Sequence, residues 1–311
     1  GELLEKDNQH DRSMRVYRNL EFLEQREEKD PRLQSVDVTN IPVEEVQTYL
    51  VPSRIADLFK VMELTCEWQT KSYPPYVEDT WGEHLGNERV QRPIWYYAYT
   101  IVKALGMKDK DIRVYVKESD IPELYIENTS PPSLLLSQPL LDNFTEKEMC
   151  FLLAKYMFYI SQKQTLAMKL PLDKLQNYFK ILHDTYVTKE IDPGDKILQK
   201  KISASLPWRT RSYFKNNPNI LQDISLNKIA SYLKCLEYSS NRLGLLLTDS
   251  LELSVKMLCY LQYLKRGQAI DKNRKLTIDE IRQVDGVPDL LYFNISTNYG
   301  KIRKSCGIIK D

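Results

Sequence analysis

Histidine, glycine and the common catalytic motifs are scarce in this sequence. Three histidines occur among 311 residues, at His10, His84 and His183, and none has a second histidine at metal-ligand spacing. Glu83 and Glu88 flank His84, but we predict an exposed loop there rather than a metal site. The ten glycines form no Walker loop, dinucleotide-binding pattern or G-x-S-x-G turn. Phosphate-binding loops and nucleophile elbows therefore have no sequence support.

Long apolar runs and paired cysteines are also missing. No uninterrupted apolar stretch approaches the roughly 20 residues needed to span a bilayer, and the first residues lack the basic-then-apolar pattern of a secretory signal. The five cysteines are widely spaced and include no C-x-x-C pair, which favours free thiols in a reducing compartment. We therefore predict a cytoplasmic protein without membrane insertion.

The nearly balanced total charge hides two halves of opposite sign. Residues 1–150 contain 28 acidic and 18 basic residues and carry a net charge of −10, whereas residues 151–311 carry +11. The basic half would suit an acidic partner, nucleic acid included, or the acidic half of the same chain. Because no nucleic-acid-binding motif accompanies the charge, we expect a protein or peptide partner and keep nucleic-acid binding as an alternative.

Residues 1–42 are predicted to form a charged helical lead-in or linker, and residues 43–311 a single domain. The lead-in has few apolar positions, among them Leu20 and Phe22, which indicates a solvated helix. Because the sequence begins at Gly1 rather than at a methionine, we expect the natural protein to be longer.

Strand-like alternation is confined to one region of the sequence. The segment Asp111–Lys117 alternates apolar and charged residues, and residues 124–126 and 134–136 are short apolar runs, which predicts three strands. Residues 145–265 are predicted to be helical with breaks at prolines, and a last helix begins at Thr277. The predicted fold class is α+β and mainly helical, with one small β-sheet before the long helical region.

Two segments of the helical region carry the functional argument. Thr145-Glu-Lys-Glu148 forms a capping box, so a helix with a broad apolar face begins there. The second segment is Glu237-Tyr-Ser-Ser-Asn-Arg-Leu-Gly244. These segments, and the order of strands before them, resemble zinc metallopeptidases of the gluzincin class, of the HtpX and CaaX-prenyl-protease type. In that family the first helix carries H-E-x-x-H, and the second carries E-x-x-A-D-R-x-G, whose Glu is the third zinc ligand.

The departures from this family pattern argue against catalysis. Lys155 stands where the first His would be, Tyr156 at the general base, and Tyr159 at the second His. Glu237 is kept, and Asn241 replaces the Asp. Because one carboxylate cannot hold catalytic zinc, the resemblance implies a pseudoenzyme with no metal, no cofactor and no catalytic residue.

A physical hypothesis follows from the substitutions. Lys155 would supply a positive charge in place of zinc and pair with Glu237, and the two helices would pack face to face. Two unit charges about 4 Å apart attract by about 4 kcal/mol at an effective dielectric constant near 20, before desolvation is subtracted. The alternative is that Lys155 points to solvent and Glu237 bonds another group.

The resulting prediction is a non-catalytic, metallopeptidase-like domain that acts as a protein-interaction or scaffolding module. The resemblance also implies a terminal domain of a larger bacterial helical-repeat protein. The alternatives are an unrelated helical interaction domain and an enzyme that uses other chemistry; the oligomeric state stays open. The predicted partner-binding cleft comprises Lys155, Tyr156, Tyr159, Glu237, Asn241 and Arg242.

Overall fold

The fold is α+β and mainly helical, as the sequence predicted. A computed structural model describes residues 10–23, 49–72, 81, 83–84, 93–108, 111–222, 224–266, 276–306 and 308. The predicted boundary between residues 42 and 43 lies outside these ranges. Within them, no helix has the length and hydropathy needed to cross a membrane.

The helices are numbered in chain order. They are α1 (His10–Leu23), α2 (Ala56–Ser72), α3 (Pro93–Ala104), α4 (Gln138–Asn143), α5 (Glu146–Ser161), α6 (Thr165–Lys169), α7 (Leu172–His183), α8 (Lys196–Ser205), α9 (Trp208–Asn216), α10 (Leu226–Thr248), α11 (Leu251–Lys265), α12 (Ile278–Arg282), α13 (Val287–Asn294) and α14 (Thr297–Ser305). Short 3-10 turns lie at Ser53–Ile55, Pro193–Asp195 and Pro218–Leu221, and a π-helical turn at Asp184–Thr188 follows α7.

A small sheet precedes the central helix. Its strands are β1 (Glu83–His84), β2 (Arg113–Lys117), β3 (Leu124–Glu127) and β4 (Ser133–Ser137), in the spatial order β1-β2-β4-β3. The β2–β4 pair is parallel and the other two pairs are antiparallel. The three predicted strands are confirmed, whereas the loop predicted at Glu83 and His84 is instead the edge strand β1. Two residues carry too little alternation to reveal a strand.

Helix α5 lies at the centre of the molecule. It is buried on all sides from Phe151 to Ile160, because α10, α3 and α11 pack around it. Strand β4 is also fully buried, which explains why its sequence Ser133-Leu-Leu-Leu-Ser137 lacks alternation. Helix α10 contacts α7, α11 and α13 as well, so these elements share one continuous core.

The C-terminal region differs from the single last helix predicted at Thr277. Thr277 does form a capping box with Glu280, but α12 ends at Arg282, and α13 and α14 follow as separate helices. Gly286 separates α12 from α13 with φ of +94°, a left-handed conformation that favours glycine. This break was not predicted, although Asp285-Gly286 is a turn signal and Pro288 is typical of a helix start.

Helix α1 is not solvated on all sides, in contrast to the predicted lead-in. Ser13, Arg15 and Asn19 are buried, and α1 packs against α11 and α14. Arg12 Nε also donates a hydrogen bond to the Ile295 carbonyl at 2.6 Å. Polar residues rather than apolar ones cover the buried face, so a hydropathy pattern does not reveal it.

Candidate functional site

The candidate site lies where α5 and α10 cross. The capping box at Thr145 sets the start of α5: the Thr145 side chain accepts from the Glu148 amide, and the Glu148 carboxylate accepts from the Thr145 amide. From this start, Lys155 and Tyr159 lie four residues apart on one face of the helix. The most extensive helix–helix packing in the described part of the chain is between α5 and α10, which confirms the predicted face-to-face arrangement.

Gly244 permits the close approach of the two helices. A Cβ atom at this position would lie 2.6 Å from Cδ2 of Phe151, whose side chain is fully buried. Real carbon–carbon contacts are about 3.5–4.0 Å, so the Phe151 ring occupies the space that any larger residue would need. The glycine of the second motif therefore has a packing role here.

Lys155 points into the interface between the helices and not into solvent. Its side chain is 5% exposed. The ammonium donates to Asn241 Oδ1 at 2.6 Å and to Ser240 Oγ at 3.3 Å. The Glu237 carboxylate lies 3.7 Å away, which is an ion pair rather than a direct hydrogen bond. The hypothesised pairing of Lys155 with Glu237 is thus confirmed, and Asn241 is the nearest partner.

The charges around this lysine shift two pKa values. Burial lowers the pKa of Lys155 to about 8, against an upward influence from Glu237. Burial alone would raise the pKa of Glu237, but the ammonium groups of Lys155 and Lys265 outweigh it and lower that pKa below its ordinary value. Lys265, on α11, lies 3.4 Å from Glu237 Oε1 and is 71% exposed. Glu237 therefore bridges one buried cation and one exposed cation.

Tyr156 and Tyr159 line the same interface as neutral phenols. Burial raises the pKa of Tyr156 to about 12, and the Glu237 carboxylate adds to the shift. The pKa of Tyr159 is raised as well, by burial first and by Glu237 second. Neither hydroxyl can act as a base near neutral pH, because each would have to lose a proton beside an existing negative charge.

Asn241 fixes the lysine but leaves one of its own atoms without a partner. Its amide Nδ2 is buried and has no hydrogen-bond partner among the described residues. Gly286 lies against this amide, since a Cβ there would be 2.9 Å from Nδ2. An aspartate at position 241 would accept from Lys155 without creating this orphaned donor.

Arg242 does not contact Lys155 or its partners. Its guanidinium turns to α13, where it forms a two-pronged ion pair with Asp289 and lies 5.0 Å from the centre of the Phe293 ring. Its Nη1 also approaches the Leu50 carbonyl at 3.4 Å. Five of the six predicted site residues therefore meet at the α5–α10 interface, and Arg242 instead connects α10 to α13.

The residues at this interface do not fit zinc. The positions that would supply the two histidines carry an ammonium and a phenol that stays protonated, and only Glu237 offers an anionic oxygen. Lys155 places a positive charge where a cation would have to bind. Across the described residues, no cluster of three or more His, Cys, Asp or Glu side chains could hold a metal ion.

A groove of about 550 Å³ opens beside the site. It runs between the edge strand β3 and the helices α5 and α11. Tyr156 and Lys265 line it, and they connect it to the residues around Lys155 and Glu237. Apolar side chains cover most of its floor, and Lys117 and Glu123 pair at 3.3 Å at one end. The apolar lining residues are Leu124, Leu140, Leu152, Leu261 and Leu264.

Two polar partners, Ser240 and Lys265, and most of the groove were not predicted from the sequence. Ser240 shares a helix face with Glu237 and Asn241, because positions i, i+3 and i+4 lie together, so helical spacing would have found it. Lys265, Leu261 and Leu264 come from α11, which has no motif and whose position depends on the tertiary fold.

No protein-family model, curated protein or solved structure matches this chain.

Proposed function

We propose that this chain is a non-catalytic, metallopeptidase-like domain of the cytoplasm that binds an extended segment of a protein partner in the groove between β3, α5 and α11. The proposal rests on the resemblance of the two helical segments to the metallopeptidase motifs and on the state of the residues that replace the zinc ligands.

One observation carries the non-catalytic part of the proposal. The Lys155 ammonium is held between Asn241, Ser240 and Glu237, at the place where the resemblance would put a metal. Activating a water molecule needs either a metal or a base with a suitable pKa. The two tyrosines are protonated near neutral pH, and the single carboxylate, Glu237, is ionised and paired with two lysines. Lys155 has a pKa of about 8, but it is 5% exposed and its ammonium donates to Asn241 and Ser240, so it is not presented to a water molecule in the groove. These groups would not generate a nucleophile.

The groove supports binding of a peptide in an extended conformation. Strand β3 pairs only with β4 among the described strands; helix α6 contacts the end of β3 near Glu127, whereas the start of β3, at Leu124 and Tyr125, lines the groove. An extended segment can add to an edge strand by main-chain hydrogen bonds, while side-chain pockets select alternate residues. The leucines of the groove would take apolar side chains.

Selection of peptides from a random library displayed on phage, with the full chain as bait, tests the binding function. The enriched peptides are then measured by fluorescence polarisation against wild type, Leu264→Glu and Leu226→Glu. Leu264 lines the groove, whereas Leu226 is 47% exposed elsewhere on the surface. We expect Leu264→Glu to weaken binding at least tenfold, because a charge would be buried against the apolar peptide, and Leu226→Glu to leave binding unchanged.

Two results would contradict the proposal. Peptides that bind Leu264→Glu as well as wild type would place the binding site elsewhere. Stoichiometric zinc by elemental analysis, together with chelator-sensitive hydrolysis of those peptides, would show a working metallopeptidase.

A further inference from the structure

A surface on α8 and α9 has a strongly one-sided charge. Residues 196–222 contain no aspartate or glutamate. Their basic side chains are all exposed, and none lies in an ion pair with any carboxylate of the described residues. We call this the basic surface; its cations are Lys196, Lys200, Lys201, Arg209, Arg211 and Lys215.

The nearest acidic residue before the basic surface is already engaged. Asp195 accepts from Asn177 at 3.2 Å and pairs with Lys180 at 3.5 Å. It therefore faces α7 and does not neutralise the lysines of α8. The positive charge of the basic surface is left for a partner outside the described fold.

Large apolar side chains lie among these cations. Ile197 is 74% exposed and Trp208 is 67% exposed, among the most exposed large apolar residues of the described chain. On α8, Ile197, Lys200 and Lys201 recur at i, i+3 and i+4 and so share one face. Two residues separate the end of α8 from Trp208, the first residue of α9, and Arg209 lies over the Trp208 ring at 5.7 Å. Each of these two consecutive helices therefore exposes an apolar side chain beside its cations.

We infer that the basic surface is a peripheral docking site for a bilayer rich in anionic lipid. A tryptophan and an aliphatic side chain set among lysines and arginines match the composition of interfacial membrane contacts. The cations would lie at the lipid headgroups, while Ile197 and Trp208 enter the boundary with the acyl chains. Such a contact needs no helix that spans the membrane.

Nucleic acid is the competing partner for a basic surface, and the exposed side chains favour lipid over it. Single-stranded nucleic acid binds where several aromatic side chains stack successive bases. Here Trp208 is the one strongly exposed aromatic residue between positions 196 and 222, and Ile197 has no stacking face. An exposed aliphatic residue gains free energy by leaving water for the acyl boundary and gains none from a phosphate backbone.

The test is co-sedimentation of the full chain with vesicles of phosphatidylcholine alone or with one third phosphatidylserine. We expect at least tenfold tighter binding to the anionic vesicles and release when the salt is raised from about 0.1 M to about 0.5 M. Tryptophan emission should shift to shorter wavelength on binding, and Trp208→Phe should abolish most of that shift.

Matched variants distinguish vesicle binding through the basic surface from nonspecific vesicle binding by other exposed residues. Ile197→Ala/Trp208→Ala and Lys200→Glu/Lys201→Glu should each weaken vesicle binding at least tenfold. The controls are Ile121→Ala/Tyr292→Ala, with 59% and 75% exposed side chains, and Lys103→Glu/Lys174→Glu, both exposed lysines on other helices. The controls should bind like wild type.

Three results would overturn the inference: equal binding to neutral and anionic vesicles, equal losses in the controls, or tighter binding of single-stranded RNA that Lys200→Glu/Lys201→Glu abolishes. Because the groove beside Lys155 lies on other elements, failure here would leave the peptide-binding proposal untouched.

Discussion

Lys155 brings one positive charge to a place where three polar groups of α10 converge. The attraction between Lys155 and Glu237 at 3.7 Å is worth about 4 kcal/mol at an effective dielectric constant near 20. Desolvation of a buried ion costs several kcal/mol. At Lys155 the desolvation cost exceeds the attraction to Glu237, because the pKa of the lysine is lowered to about 8 although a carboxylate lies beside it. The buried charge therefore lowers the stability of the fold near neutral pH.

A pH dependence follows from the lowered pKa of Lys155. Its pKa is about 8 in the folded protein against 10.5 for an ordinary lysine, so the unfolded chain binds more protons between these values. Stability from this group therefore rises with pH across that window. At about 1.4 kcal/mol per pKa unit, we expect a gain of about 2 kcal/mol in the free energy of unfolding from pH 7 to pH 10.

Urea denaturation at a series of pH values measures this gain as a difference between wild type and Lys155→Met. The difference removes the titration of groups that do not interact with Lys155, because both proteins share them. A difference that stays flat from pH 7 to pH 10 would show that Lys155 keeps an ordinary pKa.

At the scale of elements, the sequence predicted the start of α5 because its signal is local, but it predicted no boundary between α10 and α11, since the break at Asp249 and Ser250 contains no proline. A capping box at Thr145 and helical apolar spacing do not depend on the rest of the fold. The pairing of Lys155 with Glu237 was predicted from the resemblance of two segments to the metallopeptidase motifs. The orientation of the Arg242 side chain was not predicted. It depends on Asp289 of α13, a helix whose start after Gly286 was not predicted either. The groove likewise required the position of α11.

The contact between Gly244 and Phe151 leads to a prediction for this helix pair. Gly244→Ala would gain helix propensity of about 1 kcal/mol, but its methyl group would meet the buried Phe151 ring. Overpacking of this kind costs about 1–3 kcal/mol before that gain is subtracted, and a rigid buried aromatic favours the upper end. We expect a net loss of about 1–2 kcal/mol in the free energy of unfolding, measured by urea denaturation.

Two further variants make the result specific to this contact. Gly194→Ala is the control, because its Cβ would lie in ordinary contact 3.5 Å from Asp192 Oδ1. Phe151→Leu combined with Gly244→Ala should cost less than the sum of the two single changes, since the smaller side chain makes room for the methyl group. Additive losses would mean that the two residues do not compete for space.

At the scale of the whole molecule, the two oppositely charged halves of the chain are joined by ion pairs. Lys169 pairs with Glu127 at 2.7 Å, and Arg303 pairs with Asp11 at 2.8 Å. Part of the basic excess of residues 151–311 is therefore used inside the fold, which was one of the alternatives raised by the sequence. The basic surface on α8 and α9 takes no part in this pairing, so its charge is the portion available to an external partner.

Arg303 joins the two ends of the described chain, and its removal gives the last prediction. Its guanidinium donates to Asp11 of α1 and to Asp249 after α10, each at 2.8 Å, and its side chain is 9% exposed. Tyr299 donates to the other oxygen of Asp249 at 3.0 Å, so the carboxylate depends on both neighbours. Removing Arg303 leaves the 21%-exposed Asp249 with Tyr299 as its partner, whereas the 41%-exposed Asp11 keeps Arg15 at 3.3 Å. We therefore expect Arg303→Met to lower the free energy of unfolding by about 2 kcal/mol.

The surface pair of Lys256 and Glu252 on α11 is the matched control for this change. Lys256 is 47% exposed, and Lys256→Met should cost less than about 0.5 kcal/mol because solvent screens the pair. Hydrogen exchange adds a local measurement: the α1 amides should exchange faster in Arg303→Met than in wild type, whereas the α5 amides should be unaffected. The reason is that α1 loses an ion pair to α14 and keeps weaker contacts such as Arg15 over the Tyr299 ring at 5.2 Å. Equal costs for the two substitutions, with unchanged exchange in α1, would show that the docking of α1 does not depend on Arg303.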